Sequence, residues 1–336
     1  MVDSPNSERT EALLKIWQRV LEKEHIGVED TFFDLGGTSW HVVELFREIE
    51  RKSGRLLPPT VIFQAPTIAS LSILLETTNT PPLPEHVLLK SGDQKPPVFF
   101  LHGLGGNILE FVRLIKQLRS SHAIYALQAR GTDGIEEPCS SIEEMAASHV
   151  DAIKSIQPHG PYAMVGYSLG GLVALEMARL LAASGETIDL LVMIDSYPPL
   201  RYASPAQQLG VYARRVTHRT SRLLRSRGPG QAKESRSLGI AFTPAMLRVR
   251  ECAAKALRAY CPRYYRGRIR FIRAGTPLHF PHDPAKVWTK FTDRLEVETA
   301  PGDHHELLTT YSESLAAVIS RYLDELSVQK PTGSSH

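Results

Sequence analysis

The sequence predicts a small all-α bundle followed by a larger α/β domain with a mostly parallel sheet and a helical lid. Three observations predict it. In the first stretch, apolar residues recur at spacings of three and four, the period of amphipathic helices. Beyond a proline-rich break, short apolar runs alternate with helical stretches, the pattern of strands joined by crossover helices. Finally, G-Y-S-L-G-G at residues 166–171 follows one such run and leads into a helix.

Residues 8–23 are predicted helical, with Leu13, Leu14, Trp17, Val20 and Leu21 on one face. After D-L-G-G-T-S-W, residues 34–40, a second helix carries Val42, Val43, Leu45, Phe46 and Ile49 and ends near Gly54. A third is expected to begin at Pro66, a residue suited to a first helical turn, and to run through Ile68, Leu71 and Leu74. T-N-T-P-P-L-P-E-H, residues 78–86, reads as a semi-stiff linker. The expected division is therefore a bundle at 1–77, a linker region at 78–96, the α/β domain at 97–328 and a tail at 329–336.

In the second part, strands are expected at Val98–Leu101, Ile124–Leu127, Tyr162–Val165, Leu190–Ile194, Ile269–Ile272 and Leu295–Val297. Helices are expected over 107–119, 141–156, 169–183 and 312–326. The stretch 197–250 is read as a lid. Between Arg201 and Arg250 it holds 11 Lys and Arg residues against one acid, Glu234. Leu209, Tyr212, Val216 and Leu223 recur there at helical spacing, with Arg214, Arg215, Arg219 and Arg222 mostly elsewhere on that helix. That pattern fits a solvated basic face or a surface that docks an acidic domain or a phosphate. Residues 225–237 read as a loop.

Composition excludes several classes. Hydrophobic residues make up 42% of the 336 and charged residues 22%, and no apolar run reaches the roughly 18 residues that a membrane span needs. The first ten residues are polar, unlike a signal peptide. Cys139, Cys252 and Cys261 are odd in number and widely spaced, which argues against a disulfide framework or a zinc site and for the reducing cytoplasm. No metal is implied. Residues 1–77 carry a net charge of −4 and the remainder +7, complementary fields for two domains. The basic stretch lacks a nucleic-acid recognition motif.

Two serines carry the chemistry. In G-Y-S-L-G-G, the sharp turn between strand and helix lifts the Ser168 hydroxyl above the sheet edge, and flanking glycines leave room for it. This is the nucleophile elbow of α/β-hydrolases, whose serine is followed in sequence by an acid and then a histidine. P-G-D-H-H-E-L-L, residues 301–308, supplies His304 as the base, with His305 as an exposed neighbour or helix-start residue. Asp195 ends the apolar strand after the elbow helix and is the first choice of acid; Asp283 is the alternative. Asp303 adjoins His304 in sequence, which makes the required bond awkward. The oxyanion is assigned to the Leu169 N–H and, from H-G-L-G-G at 102–106, to the Leu104 N–H. The other serine, Ser39, has no base nearby. It stands where a helix begins, and Ser is a favoured N-cap.

D-L-G-G-T-S-W, with D-T-F-F before it and F-Q-A-P-T-I-A-S-L after it, resembles the phosphopantetheine attachment site of acyl or peptidyl carrier domains. Trp40 stands where leucine is usual, and Thr38 where histidine or aspartate is often found. F-F-L-H-G-L-G-G-N, Y-A-L-Q-A-R-G, G-P-Y-A-M-V-G-Y-S-L-G-G and P-G-D-H resemble the thioesterase domain that ends nonribosomal peptide and polyketide assembly lines. The resemblance implies that Ser39 anchors a covalent 4'-phosphopantetheine arm, with Asp34, Glu44 and Glu48 forming an acidic face. It also implies a serine thioesterase with Ser168, Asp195 and His304 as its triad, releasing an acyl, peptidyl or polyketide chain by hydrolysis or cyclisation. The implied partners are a phosphopantetheinyl transferase, upstream synthetase modules or an acyl-activating enzyme, and an acyl or peptidyl thioester substrate. Two other readings stand beside it: an editing thioesterase that clears misloaded carriers, and a non-catalytic acyl-carrier scaffold.

Overall fold

In the computed structural model, residues 5–77, 82–93, 96–214, 243–278 and 280–328 are described. The first three helices are α1 (Pro5–Leu21), α2 (Ser39–Ser53) and α3 (Ile68–Glu76), with a 3-10 turn at Pro59–Phe63 between the last two. Their apolar stripes meet in one core, where Trp17 and Phe32 are fully buried and packed edge to face at 5.0 Å. The third helix starts two residues later than its periodicity suggests. Pro66 lies outside it, and Thr67 is the cap, exchanging hydrogen bonds with Ser70 across the first turn. A Ser or Thr whose side chain reaches the third residue of the helix satisfies an otherwise orphaned donor, so the cap outcompetes the proline as the start signal.

The second part is a seven-stranded sheet in the order β1-β3-β2-β4-β5-β6-β7. Its strands are β1 (His86–Lys90), β2 (Val98–Leu101), β3 (Ile124–Leu127), β4 (Tyr162–Tyr167), β5 (Ile188–Ile194), β6 (Ile269–Ala274) and β7 (Leu295–Ala300). All neighbours run parallel except β1, which pairs antiparallel with β3. The stretch expected to be linker thus holds an edge strand. Its short H-V-L-L-K run is only half-buried, so it lacks the continuous apolar run that marks β2 and β4.

Helices α4 (Val112–Gln117), α5 (Ile142–Ile156), α6 (Leu169–Ala183), α7 (residues 205–214), α8 (Pro244–Ala259), α9 (Ala285–Trp288) and α10 (Ser312–Val328) follow among the described residues. They cover both faces, giving two apolar layers. One layer sets α5, α6 and α8 against the sheet, with Phe99, Met164, Leu172 and Phe271 buried in it. The other gathers Phe100, Val165, Ile194, Leu315 and Ile319. The helix expected over 107–119 divides into a 3-10 turn, Leu109–Phe111, and the short α4.

The lid stretch is described only in part. Residues 205–214 are helical, and α8 runs on past 250 to Ala259 with Met246, Val249, Ala253 and Ala256 buried. Arg215, Val216, Arg219, Arg222 and Leu223, the 225–237 loop and the 329–336 tail lie outside the described residues. Cys139 is buried, Cys252 half-buried and Cys261 exposed, all as free thiols. Among the described residues, no helix is long and apolar enough to cross a membrane, and no His, Cys, Asp and Glu cluster could hold a metal.

Candidate functional site

The bundle places Ser39 as the first residue of α2. The capping role belongs to its neighbour: Thr38 Oγ1 accepts the His41 N–H and His41 Nδ1 accepts the Thr38 N–H, both at 3.3 Å. Ser39 is half-buried, and its hydroxyl makes no hydrogen bond among the described residues. The first N–H groups of a helix have no partner within it, so the hydroxyl sits beside donors suited to an anion. Of the three acids expected to face outward here, Glu48 does not. It is buried and held by Arg19 and Arg51. Glu44 pairs with Arg47, and Asp34 accepts the Thr31 hydroxyl.

In the second domain the elbow is set by backbone crowding. A Cβ on Gly166 would lie 2.3 Å from the Gly170 carbonyl oxygen, and one on Gly170 would lie 2.3 Å from that of Leu101. The strand and helix can therefore approach only through hydrogen atoms, and Ser168 is forced to φ 55°, ψ −116° between β4 and α6. Such a conformation costs a non-glycine residue of order 1–3 kcal/mol and persists only where the surroundings impose it.

Asp195 follows β5 directly, with φ 46° and 1% exposure. Its Oδ2 meets His304 Nδ1 at 2.8 Å, and its Oδ1 accepts the Ala274 N–H at 3.0 Å. With Nδ1–H donating to the carboxylate, His304 Nε2 is left as the basic nitrogen. Asp283, the alternative acid, is engaged elsewhere: its Oδ1 accepts the Ala285 N–H and its Oδ2 pairs with Lys286. Asp303 accepts the N–H groups of His305 and Glu306 and so caps the turn that carries His304. His305 is exposed and precedes a 3-10 turn.

The glycine loop at 102–106 is pinned on two sides. Glu110 Oε1 accepts the Gly103 N–H at 2.6 Å. His102 Nδ1–H donates to the Gly103 carbonyl at 2.7 Å, and burial keeps that imidazole neutral by pushing its pKa down. The Gly103 carbonyl and the Leu104 N–H belong to one planar peptide, so His102 orients the N–H assigned to the oxyanion. The other assigned donor, Leu169, opens α6, where N–H groups lack helical partners. His149 lies against His102, ring centroids 5.5 Å apart, and burial pushes its pKa down to about 3.

Sequence patterns alone give no functional role to Tyr167, Glu110 or His102. Tyr167 is a variable residue of G-x-S-x-G, and His102 is the first residue of the 102–106 loop. Their proximity to the motifs was the available signal.

A cavity of about 480 Å³ joins the two domains. Gly36, Ser39 and Trp40 wall it from the bundle; Glu110, Arg113, Lys116, Tyr167 and His305 are among those walling it from the other side. Tyr167 and His305 are the chain neighbours of Ser168 and His304. Lys116 Nζ also donates to the Phe33 carbonyl across the domains at 2.7 Å.

Both parts of the chain match known families. The phosphopantetheine attachment site family matches residues 11–75, and the thioesterase domain family matches residues 96–326. The chain is 37% identical over 195 residues to a dimodular nonribosomal peptide synthase of Bacillus subtilis (strain 168), covering 58% of this chain and 8% of that protein. It is 35% identical over 199 residues to an indigoidine synthase of Dickeya dadantii (strain 3937), covering 59% and 13%. It thus spans a small part of the length of these curated relatives. A holo four-domain nonribosomal peptide synthetase bound to AMP and glycine superposes with a TM-score of 0.60 at 24% identity, over 98% of this chain and 26% of that one. The chain belongs to the thioesterase domain family and carries ahead of that domain a phosphopantetheine attachment domain, the kind to which 4'-phosphopantetheine is bound covalently.

Proposed function

We propose that the chain releases an acyl, peptidyl or polyketide group from its carrier domain through an acyl-enzyme on Ser168. The observation that carries this reading is the Asp195–His304 pair beside the strained elbow, with Ser39 walling the cavity that neighbours of both Ser168 and His304 also wall. On this reading residues 1–77 are the carrier and residues 97–328 the thioesterase.

The residues at Ser39 fit a phosphopantetheine group: the hydroxyl is uncommitted, the helix start favours a phosphodiester, and the cavity leaves room beside it. Bound there, the group supplies a terminal thiol that presents the acyl chain as a thioester. Attachment calls for a phosphopantetheinyl transferase, and acylation for upstream synthetase modules or an acyl-activating enzyme.

Ser168 Oγ attacks the thioester carbonyl carbon while His304 Nε2 takes the hydroxyl proton, and Asp195 stabilises the imidazolium. The Leu104 and Leu169 N–H groups hold the developing oxyanion. As the carbon–sulfur bond breaks, His304 returns the proton to sulfur. Water, or an amine or hydroxyl of the acyl chain itself, then gives its proton to His304 and attacks the ester carbonyl; as the carbon–oxygen bond breaks, His304 passes that proton to Ser168 Oγ, freeing an acid, lactone or lactam.

The test is intact mass after incubation with coenzyme A and a broad-specificity phosphopantetheinyl transferase. An added arm on the wild type and none on Ser39→Ala is expected. Loading with an acyl-coenzyme A series should then give a retained acyl group on Ser168→Ala and its release from the wild type. Equal modification of Ser39→Ala, or equal release from Ser168→Ala, would overturn the reading.

A further inference from the structure

We propose that the thioesterase domain has a phosphodiester-binding site of its own, formed by Arg113 and Lys116 of α4, which receives the phosphate of the group on Ser39. This deepens the proposed function and rests on Ser39 as the attachment residue. The sequence suggests such a surface on the basic lid, but much of that stretch lies outside the described residues, and α4 offers a better-defined one.

Arg113 and Lys116 are three residues apart on a six-residue helix, both exposed, both facing the cavity that Ser39 walls. Like charges at that spacing repel. An anion between them removes the conflict. Lys116 is already committed in geometry, its ammonium donating to the Phe33 carbonyl and lying 5.8 Å from the Phe33 ring centroid. Arg113 has no hydrogen bond or ion pair among the described residues, so its fork of N–H donors is free.

The rest of the lining is consistent with an anion. Glu110 is the acid among the residues that wall the cavity, and its Oε1 is turned to the Gly103 N–H. Across the cavity, the start of α2 presents unpaired N–H groups and the positive end of its dipole. A phosphodiester on Ser39 is therefore met by the helix start on one side and by a guanidinium on the other, where a bidentate contact is strongest. Attachment of the arm then adds a second bridge between the domains beside the Lys116–Phe33 bond.

The experiment is phosphorus NMR of the full chain carrying the unacylated arm, comparing wild type, Arg113→Gln and Arg113→Lys, with intact mass confirming the arm in each. In the wild type the phosphodiester resonance should be displaced and broadened relative to Arg113→Gln. The two should converge in about 1 M salt, where exposed charges are screened, and Arg113→Lys should fall between them. Single-turnover release from the acylated arm should drop about tenfold in Arg113→Gln relative to hydrolysis of a short soluble thioester without phosphate, one tenfold step being about 1.4 kcal/mol. Superimposable resonances, or equal losses with both substrates, would overturn the site while leaving Ser39 as the anchor. A chain that never gains the arm's mass would overturn the underlying reading as well.

Discussion

The Tyr167 ring stacks on the His304 imidazole with centroids 4.8 Å apart and planes 20° from parallel, while its hydroxyl donates to the His304 backbone carbonyl at 2.8 Å. A single side chain thus holds both the ring and the peptide of the proposed base. Phe280 closes another side of the imidazole at 5.0 Å. Because Tyr167 is the last residue of β4 and precedes Ser168, the same strand end that aims the proposed nucleophile also fixes the histidine loop.

Tyr167→Phe keeps the stack and deletes the hydroxyl, leaving the His304 carbonyl without that donor. We expect a stability loss of about 1 kcal/mol and a fall in kcat of less than about tenfold. Tyr167→Leu removes the stack too and should lower kcat by more than about tenfold. Thermal melts and steady-state hydrolysis of a soluble thioester give both numbers. Equal kcat for the two variants would mean that the stack does not position His304.

Asp195 and Asp283 separate cleanly. Asp195→Asn leaves Ala274 N–H a partner through its amide oxygen but no longer favours the tautomer with the proton on Nδ1. A fall in kcat of about 10⁴-fold is expected, the order that this change produces in a serine triad. Asp283→Asn, which touches only the start of α9, should leave kcat within about twofold and cost at most about 1 kcal/mol as a weakened cap. Burst kinetics with a chromogenic ester resolves the acylation step in each.

Thr38 takes the capping role that the sequence offers for Ser39, which leaves Ser39 for the proposed attachment. Thr38→Ala should destabilise the bundle by about 1 kcal/mol through loss of the α2 cap, while the arm is still added to completion. Ser39→Ala should leave the bundle's stability within about 0.5 kcal/mol and abolish addition. Amide exchange over α2 and intact mass measure the two effects independently.

What the sequence makes legible follows from how local each signal is. The elbow is written in consecutive residues because crowding between Gly166, Gly170 and Leu101 leaves little choice of residue type. Helix α2 is legible because its apolar period is unbroken and it ends at Gly54. The start of α3 is misread because the Thr67–Ser70 cap is a side-chain geometry, while Pro66 is a conspicuous letter. Strand β1 is missed because an edge strand needs only one partner and no continuous apolar run. Glu48 is misread as a surface acid because its neutralisation comes in part from Arg19, on a different helix. The Tyr167–His304 contact joins residues 137 positions apart, a relationship that no local pattern encodes.

Glu110 gives the remaining prediction, on pH. Burial pushes its carboxyl up to about 7, opposed by the Gly103 N–H that it accepts. In the unfolded chain the group titrates near the ordinary glutamate value, about 4.3. The folded state therefore holds the proton more tightly than the unfolded state. Its contribution to stability is full below about pH 4, declines as pH rises towards 7, and stays at its low value above that. Glu110→Gln keeps an acceptor for Gly103 and removes the titration. The variant's advantage over the wild type should therefore grow between about pH 5 and 8, with the steepest change below 7. Urea unfolding of both proteins across that range measures the difference directly and cancels the titration of every other group. Parallel stability curves would mean that Glu110 reaches solvent when charged and leaves the Gly103 peptide held by His102 alone.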